Sequence, residues 1–224
     1  MRLSWINVGI GALTFFVAAL LLEQILHFLV LKANPTVAAW FHANTAAYAT
    51  YGVLAAGMFE EVGRFVAMRR FVRSTGNPGT AIAYGLGHGG LEALLIGGLA
   101  QLQAVAIAVM FNNGTLSPTA SPLLKVAYAN LLELTLPMAL VGGGERLIAL
   151  AFQIVLSLVV WRAVETKRTW LLFAAVAFHA LGDLGAALFQ TGIIRSVFVA
   201  EGGAVVVMML AAGFLRLLPQ PVAS

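Results

Sequence analysis

No cysteine occurs among the 224 residues, which excludes disulfides, thiolate zinc sites and a cysteine nucleophile. Charge is scarce as well: Asp, Glu, Lys and Arg make up 10% of the chain, where soluble domains carry about a quarter. Aspartate is rarest of all. Asp183 stands alone, so a membrane aspartyl protease, which needs two, is ruled out. The four histidines, at positions 27, 42, 88 and 179, never fall four apart, which removes an H-E-x-x-H zinc helix. Ser157, the one serine well inside an apolar run, sits in "QIVLSLVVW", without the tight glycine-rich setting a serine nucleophile needs.

What is present is apolar surface: 61% of residues are hydrophobic and the mean hydropathy is +0.94. That composition belongs to a polytopic membrane protein. The net charge of +4 does not point to nucleic acid, because the basic residues sit at the ends of apolar runs, as topology signals do. A span needs about 20 mostly apolar residues. Runs that qualify lie near 5–31, 46–71, 80–111, 145–165, 169–190 and 193–217. The first carries a single early Arg2 and is too long for a signal-peptide core, so it reads as a retained span. The third is long enough to tilt or to break at "GLGHGG".

The expected fold class is all-α: a transmembrane helical bundle of six to seven spans forming a single integral membrane domain over 1–224. An interfacial or re-entrant helix is expected around 121–139, where Pro, Lys125 and Glu133 interrupt the apolar pattern. Arg69, Arg70 and Arg73 follow the second run, Arg162, Lys167 and Arg168 follow the fourth, and Arg216 closes the last. With all three clusters inside, the chain is a multi-pass cell-membrane protein with both termini cytoplasmic.

Against this apolar background "GMFEEVGRFVAMRRF", residues 57–71, places Glu60, Glu61 and Arg64 inside a span. Each charge near the bilayer centre costs roughly 2.5–3.5 kcal/mol on insertion scales. Arg64 pairs with either glutamate at helical spacing, but one arginine cannot neutralise two carboxylates. The loop after this run is centred near 74–75. His88, in "AYGLGHGGLEALLIGG", follows that centre by as many residues as Glu60 and Glu61 precede it. In an antiparallel helix pair equal distance from the turn means equal depth, about 20 Å along the helix. The glycines around His88 permit close approach, and Glu92 shares its face at i,i+4. His179 and Asp183, also i,i+4, reach a similar depth from Lys167 and Arg168.

Other polar residues read more plainly. Glu23, Gln24 and His27 suit interhelical hydrogen bonding, and Glu145 with Arg146 follows three glycines at an expected helix start, with a binding role for Glu145 as the alternative. Acids and histidines at one depth suit acid–base chemistry on water, or proton movement. A glutamate base with histidine help and a His/Glu metal site both satisfy the pattern.

The set "EEVGR" (60–64), "YGLGH" (84–88) and "HALGD" (179–183) resembles the three signatures of the CAAX-protease and bacteriocin-processing (Abi) superfamily of intramembrane proteases. The flanking "FEEVGRF", "AYGLGHGGLEA" and "GGGERLIAL" are most similar to its bacterial YhfC-like branch, over about residues 55–190. The resemblance implies a glutamic-type intramembrane endopeptidase. Glu60 would be the general base, assisted by His88, with Glu61 and Arg64 as an orienting couple. His179 and Asp183 would stabilise the tetrahedral intermediate, and Tyr84, Glu92 and Glu145 would stand behind them. No cofactor is needed on that reading. The runner-up is metal-assisted, with His88, His179 and Glu60 binding zinc and the second glutamate as base. The rival class is a proton-coupled transporter or membrane scaffold. The expected partners are membrane lipids and a membrane-embedded or membrane-tethered peptide, with no nucleic acid.

Overall fold

A computed structural model describes residues 4–72, 76–117 and 119–218, with the side chain of Pro137 left aside. Arg73 of the first basic cluster and the expected loop centre lie outside the described residues. Eight helices follow one another: α1 (Trp5–Lys32), α2 (Pro35–Ala43), α3 (Thr45–Arg70), α4 (Gly79–Asn112), α5 (Pro122–Glu133), α6 (Leu136–Glu165), α7 (Trp170–Gln190) and α8 (Val197–Leu217). No strand occurs among the described residues. In hydrocarbon every backbone N–H and C=O must be satisfied within its own segment, and the helix does that locally.

The starts follow side-chain chemistry. Ser4, Asn34 and Ser121 each accept a hydrogen bond from the backbone N–H three residues on, and proline stands at the first turn of α2 and α5. Asn77 Oδ1 takes the Gly79 N–H at 2.9 Å where α4 begins.

Among the described residues, five helical stretches are long and apolar enough to cross a membrane: Trp5–Lys32, Gly79–Asn112, Met138–Glu165, Trp170–Gln190 and Val197–Leu217. The protein is a polytopic helical membrane protein. With 26 residues, α3 is long enough too, about 39 Å at 1.5 Å per residue, but its glutamates and arginine keep it out of the apolar set. With 12 residues, α5 reaches about 18 Å, short of the ~30 Å hydrocarbon core. It ends before Leu134 and Thr135, so the segment expected to be interfacial or re-entrant is a short separate helix.

Two expectations change. The fourth long helix begins at Leu136, not near 145, so Gly142, Gly143 and Gly144 lie inside it and Glu145 does not sit at a helix start. Glycine weakens helices in water, but an apolar surrounding offers the backbone no other hydrogen-bond partner. Nor does α4 open at "GLGHGG": it stays α-helical through Glu92, and the irregularity is a π-helical stretch at Ala93–Gly98. The glycines serve contact. A Cβ on Gly87 would run into the Val8 carbonyl, so its absence lets α1 and α4 touch backbone to backbone.

The chain groups into two units, one of residues 1–91 with 150–224, the other of residues 92–149. In the first, α7 packs against both α3 and α8. Its main apolar core gathers Met68, Tyr84, Val159, Val160, Trp161 and Ala175.

Candidate active site

Three glutamate–histidine contacts define the site, and all lie in the first unit. Glu60 and Glu61 are neighbours on α3, so a 100° step per residue aims them in different directions. Glu60 Oε2 meets His88 Nε2 at 2.8 Å, while Glu61 Oε1 meets His179 Nδ1 at 2.7 Å. The Nε2 of His179 looks back toward Glu60, 3.9 Å from Oε1, and lies 3.3 Å from Asp183 Oδ2. One imidazole therefore spans both glutamates. Glycine makes this close approach possible: a Cβ on Gly57, one turn before Glu61, would press on the Val176 carbonyl at 3.0 Å.

Burial is nearly complete. Glu61, Arg64 and His88 expose nothing, and Glu60 and His179 expose 6% and 2%. Asp183 alone is open, its side chain 45% exposed. Arg64 lies 3.4 Å from Glu61 Oε1, three residues further along the same helix. The arginine also donates to the backbone carbonyl of Gln153 at 3.3 Å and to its side-chain Oε1. Gln153 in turn donates from Nε2 to Glu60 Oε2 at 3.2 Å. Gln153 thus links Arg64 to Glu60 across helices, a role that a lone glutamine in an apolar run does not announce. Its only sequence signal is being a large polar group at mid-span.

Tyr84, one turn before His88 on α4, is fully buried and stacks its ring against the imidazole at 6.0 Å between centroids, while Phe15 of α1 meets it edge-on at 5.3 Å. Glu92 is the last α-helical residue of that stretch, one turn beyond His88. Glu145 belongs to the second unit, where it pairs with the adjacent Arg146.

The three motifs thus meet around two glutamates, and the comparison with known proteins decides the family. The profile of the YhfC intramembrane metalloproteases matches residues 1–204. The chain belongs to the YhfC intramembrane metalloprotease family. A relative from Bacillus subtilis (strain 168), described as "Uncharacterized membrane protein YhfC", is 39% identical over 209 residues, covering 91% of this chain and 79% of the relative. No solved structure matches the chain.

The YhfC family description implies a metal, and the donors present here fit one. Glu61, held by Arg64, faces His179 Nδ1, and in the tautomer with the proton on Nδ1 the Nε2 lone pair is turned toward Glu60 and Asp183. His88 Nε2 and Glu60 Oε2 both carry lone pairs, so at 2.8 Å a proton or a cation must sit between them. Four buried atoms of this cluster have no hydrogen-bond partner: His88 Nδ1, Glu61 Oε2, Arg64 Nε and the Tyr84 hydroxyl. Two imidazoles and a carboxylate in one buried cluster are donors that a metal ion accepts.

Proposed function

We propose that this chain is a zinc-dependent intramembrane endopeptidase in which His88, His179 and Glu60 hold the metal. The carrying observation is the convergence of His88 Nε2 and His179 Nε2, from α4 and α7, on the two oxygens of Glu60. The expectation of a cofactor-free glutamic mechanism, with Glu60 as the base, gives way on two grounds. The family to which the chain belongs is one of metalloproteases. Glu60 is also hemmed in by two imidazoles and an amide, a setting that suits a ligand better than a free base.

When bound, zinc supplies Lewis acidity, polarising a carbonyl and making water acidic enough to attack near neutral pH. The chain's own residues do the rest. Glu61 fixes the tautomer and ring angle of His179, and Arg64 holds Glu61 in place for that task. Gln153 orients Glu60. Asp183, exposed on one side and 3.3 Å from His179 Nε2 on the other, is the carboxylate that an incoming peptide meets first. Tyr84, Phe15 and the surrounding small residues exclude bulk water, which strengthens every charge interaction within. The substrate is a peptide embedded in or tethered to the membrane, reached laterally or from the cytoplasmic face. The three-motif likeness to the wider CAAX-protease and bacteriocin-processing group supports the same reaction class.

The test is cleavage of a membrane-tethered peptide by purified protein in liposomes, with zinc measured on the same sample. Cleavage that tracks bound zinc supports the reading. Full cleavage by a rigorously zinc-free preparation sinks it.

A further inference from the structure

One partly buried cluster of the first unit takes no part in the site as described. Its centre is Glu23, 7% exposed, on a membrane helix where a carboxylate is expensive to bury. Glu23 Oε1 meets His27 Nε2 at 3.1 Å, one turn on along α1, and His27 Nδ1 meets the hydroxyl of Tyr51 on α3 at 2.9 Å. In the tautomer whose Nε2–H donates to the Glu23 carboxylate, Nδ1 accepts from Tyr51 O–H, and the line of donors and acceptors is unbroken. Here α1 is distorted, with π-helical stretches at Ala18–Glu23 and Phe28–Lys32 on either side of Gln24–His27, a deformation that gathers at functional sites.

Register locates the line. A Cβ on Gly63 would meet Ala18 Cβ at 2.9 Å, and nine residues further along α1 His27 reaches Tyr51, so α1 and α3 run antiparallel past each other. Glu23 falls between these two contacts, within about a turn of Gly57 and Glu60. Tyr51 precedes Glu60 by nine residues, about 13 Å nearer the Thr45 end of α3.

We propose that Tyr51, His27 and Glu23 form a proton relay leading from the Thr45 end of α3 to the hydrolytic site. The inference rests on the protease reading, because peptide cleavage must deliver a proton to the departing nitrogen. As Tyr51 O–H gives its proton to His27 Nδ1, His27 Nε2–H gives its own to Glu23. Water at the outer end reprotonates the Tyr51 oxygen. Glu23 then passes its proton to the leaving nitrogen as the C–N bond breaks and its electron pair stays on nitrogen. Each bond to hydrogen that breaks is matched by one that forms, and His27 resets as water takes the proton from Nδ1 and returns one to Nε2. Glu23, His27 and Tyr51 are proton-handling residues behind the site rather than zinc ligands.

The test uses zinc-loaded full-length protein in liposomes. His27→Ala and Glu23→Gln should each lower kcat about 100-fold, the scale of a lost proton transfer, with KM and bound zinc unchanged. Tyr51→Phe, which keeps the ring and the packing, should lower kcat in the same way. Added imidazole should restore part of the His27→Ala rate and none of the Glu23→Gln rate, an outcome a structural role would not produce. Wild-type kcat in Glu23→Gln or His27→Ala overturns the relay. So does a loss that carries bound zinc down with it and ignores imidazole. Failure of the protease reading shows elsewhere, as a wild-type protein that binds zinc and cleaves nothing.

Discussion

His179 addresses two carboxylates at once, with Nδ1 on Glu61 at 2.7 Å and Nε2 3.9 Å from Glu60, although 118 residues separate it from Glu61. The neighbours "EE" are therefore not equivalent. Glu60 faces two imidazoles, and Glu61 faces an imidazole and a guanidinium. The expected outcomes below follow from that division.

Removing a ligand should cost both metal and activity. Glu60→Gln keeps the shape but loses the charge between His88 and His179. We expect bound zinc to fall from about one per chain to near none, and cleavage to drop by 100-fold or more. Elemental analysis alongside the cleavage assay checks both. Retained zinc with lost cleavage would instead favour Glu60 as the base.

Glu61→Gln should act at one remove. The amide still fills the space but no longer accepts strongly from His179 Nδ1–H, so zinc affinity should weaken by about 10–100-fold. A chelator-competition titration reads this directly, and added zinc should recover much of the cleavage.

Arg64 should matter for folding more than for the reaction. Replacing it with methionine leaves Glu61 buried beside no cation, a loss of about 3–5 kcal/mol for a broken buried pair. Thermal unfolding in detergent should show it. Glu61→Gln in the same chain should recover part of the stability, which a mere packing defect would not allow.

Metal removal separates the two protease readings. Dialysis against a strong zinc chelator should abolish cleavage, and zinc should restore it while magnesium should not, given two nitrogen donors. A protein indifferent to the chelator would belong with the cofactor-free mechanism.

Much was legible in the chain alone because the bilayer simplifies the reading. In hydrocarbon an unpaired polar group is so unfavourable that Glu60, Glu61, Arg64, His88, His179 and Asp183 stood out by type and position. Equal distance from a turn placed His88 at the depth of Glu60, since helices rise by a constant amount per residue. The all-helical class followed from hydropathy for the same reason. Direction around each helix was not legible, because an 18-residue apolar run has no polar face to reveal it. Only the packing of α3, α4, α6 and α7 decided that His88 goes to Glu60, that His179 bridges to Glu61, and that Gln153 joins them. Tertiary structure likewise turned Glu23 and His27 from unremarkable hydrogen-bonding residues into a line ending at Tyr51. Depth is a property of a single helix, whereas partnership depends on how helices rotate against one another, and that is set by close contacts such as those at Gly57 and Gly87.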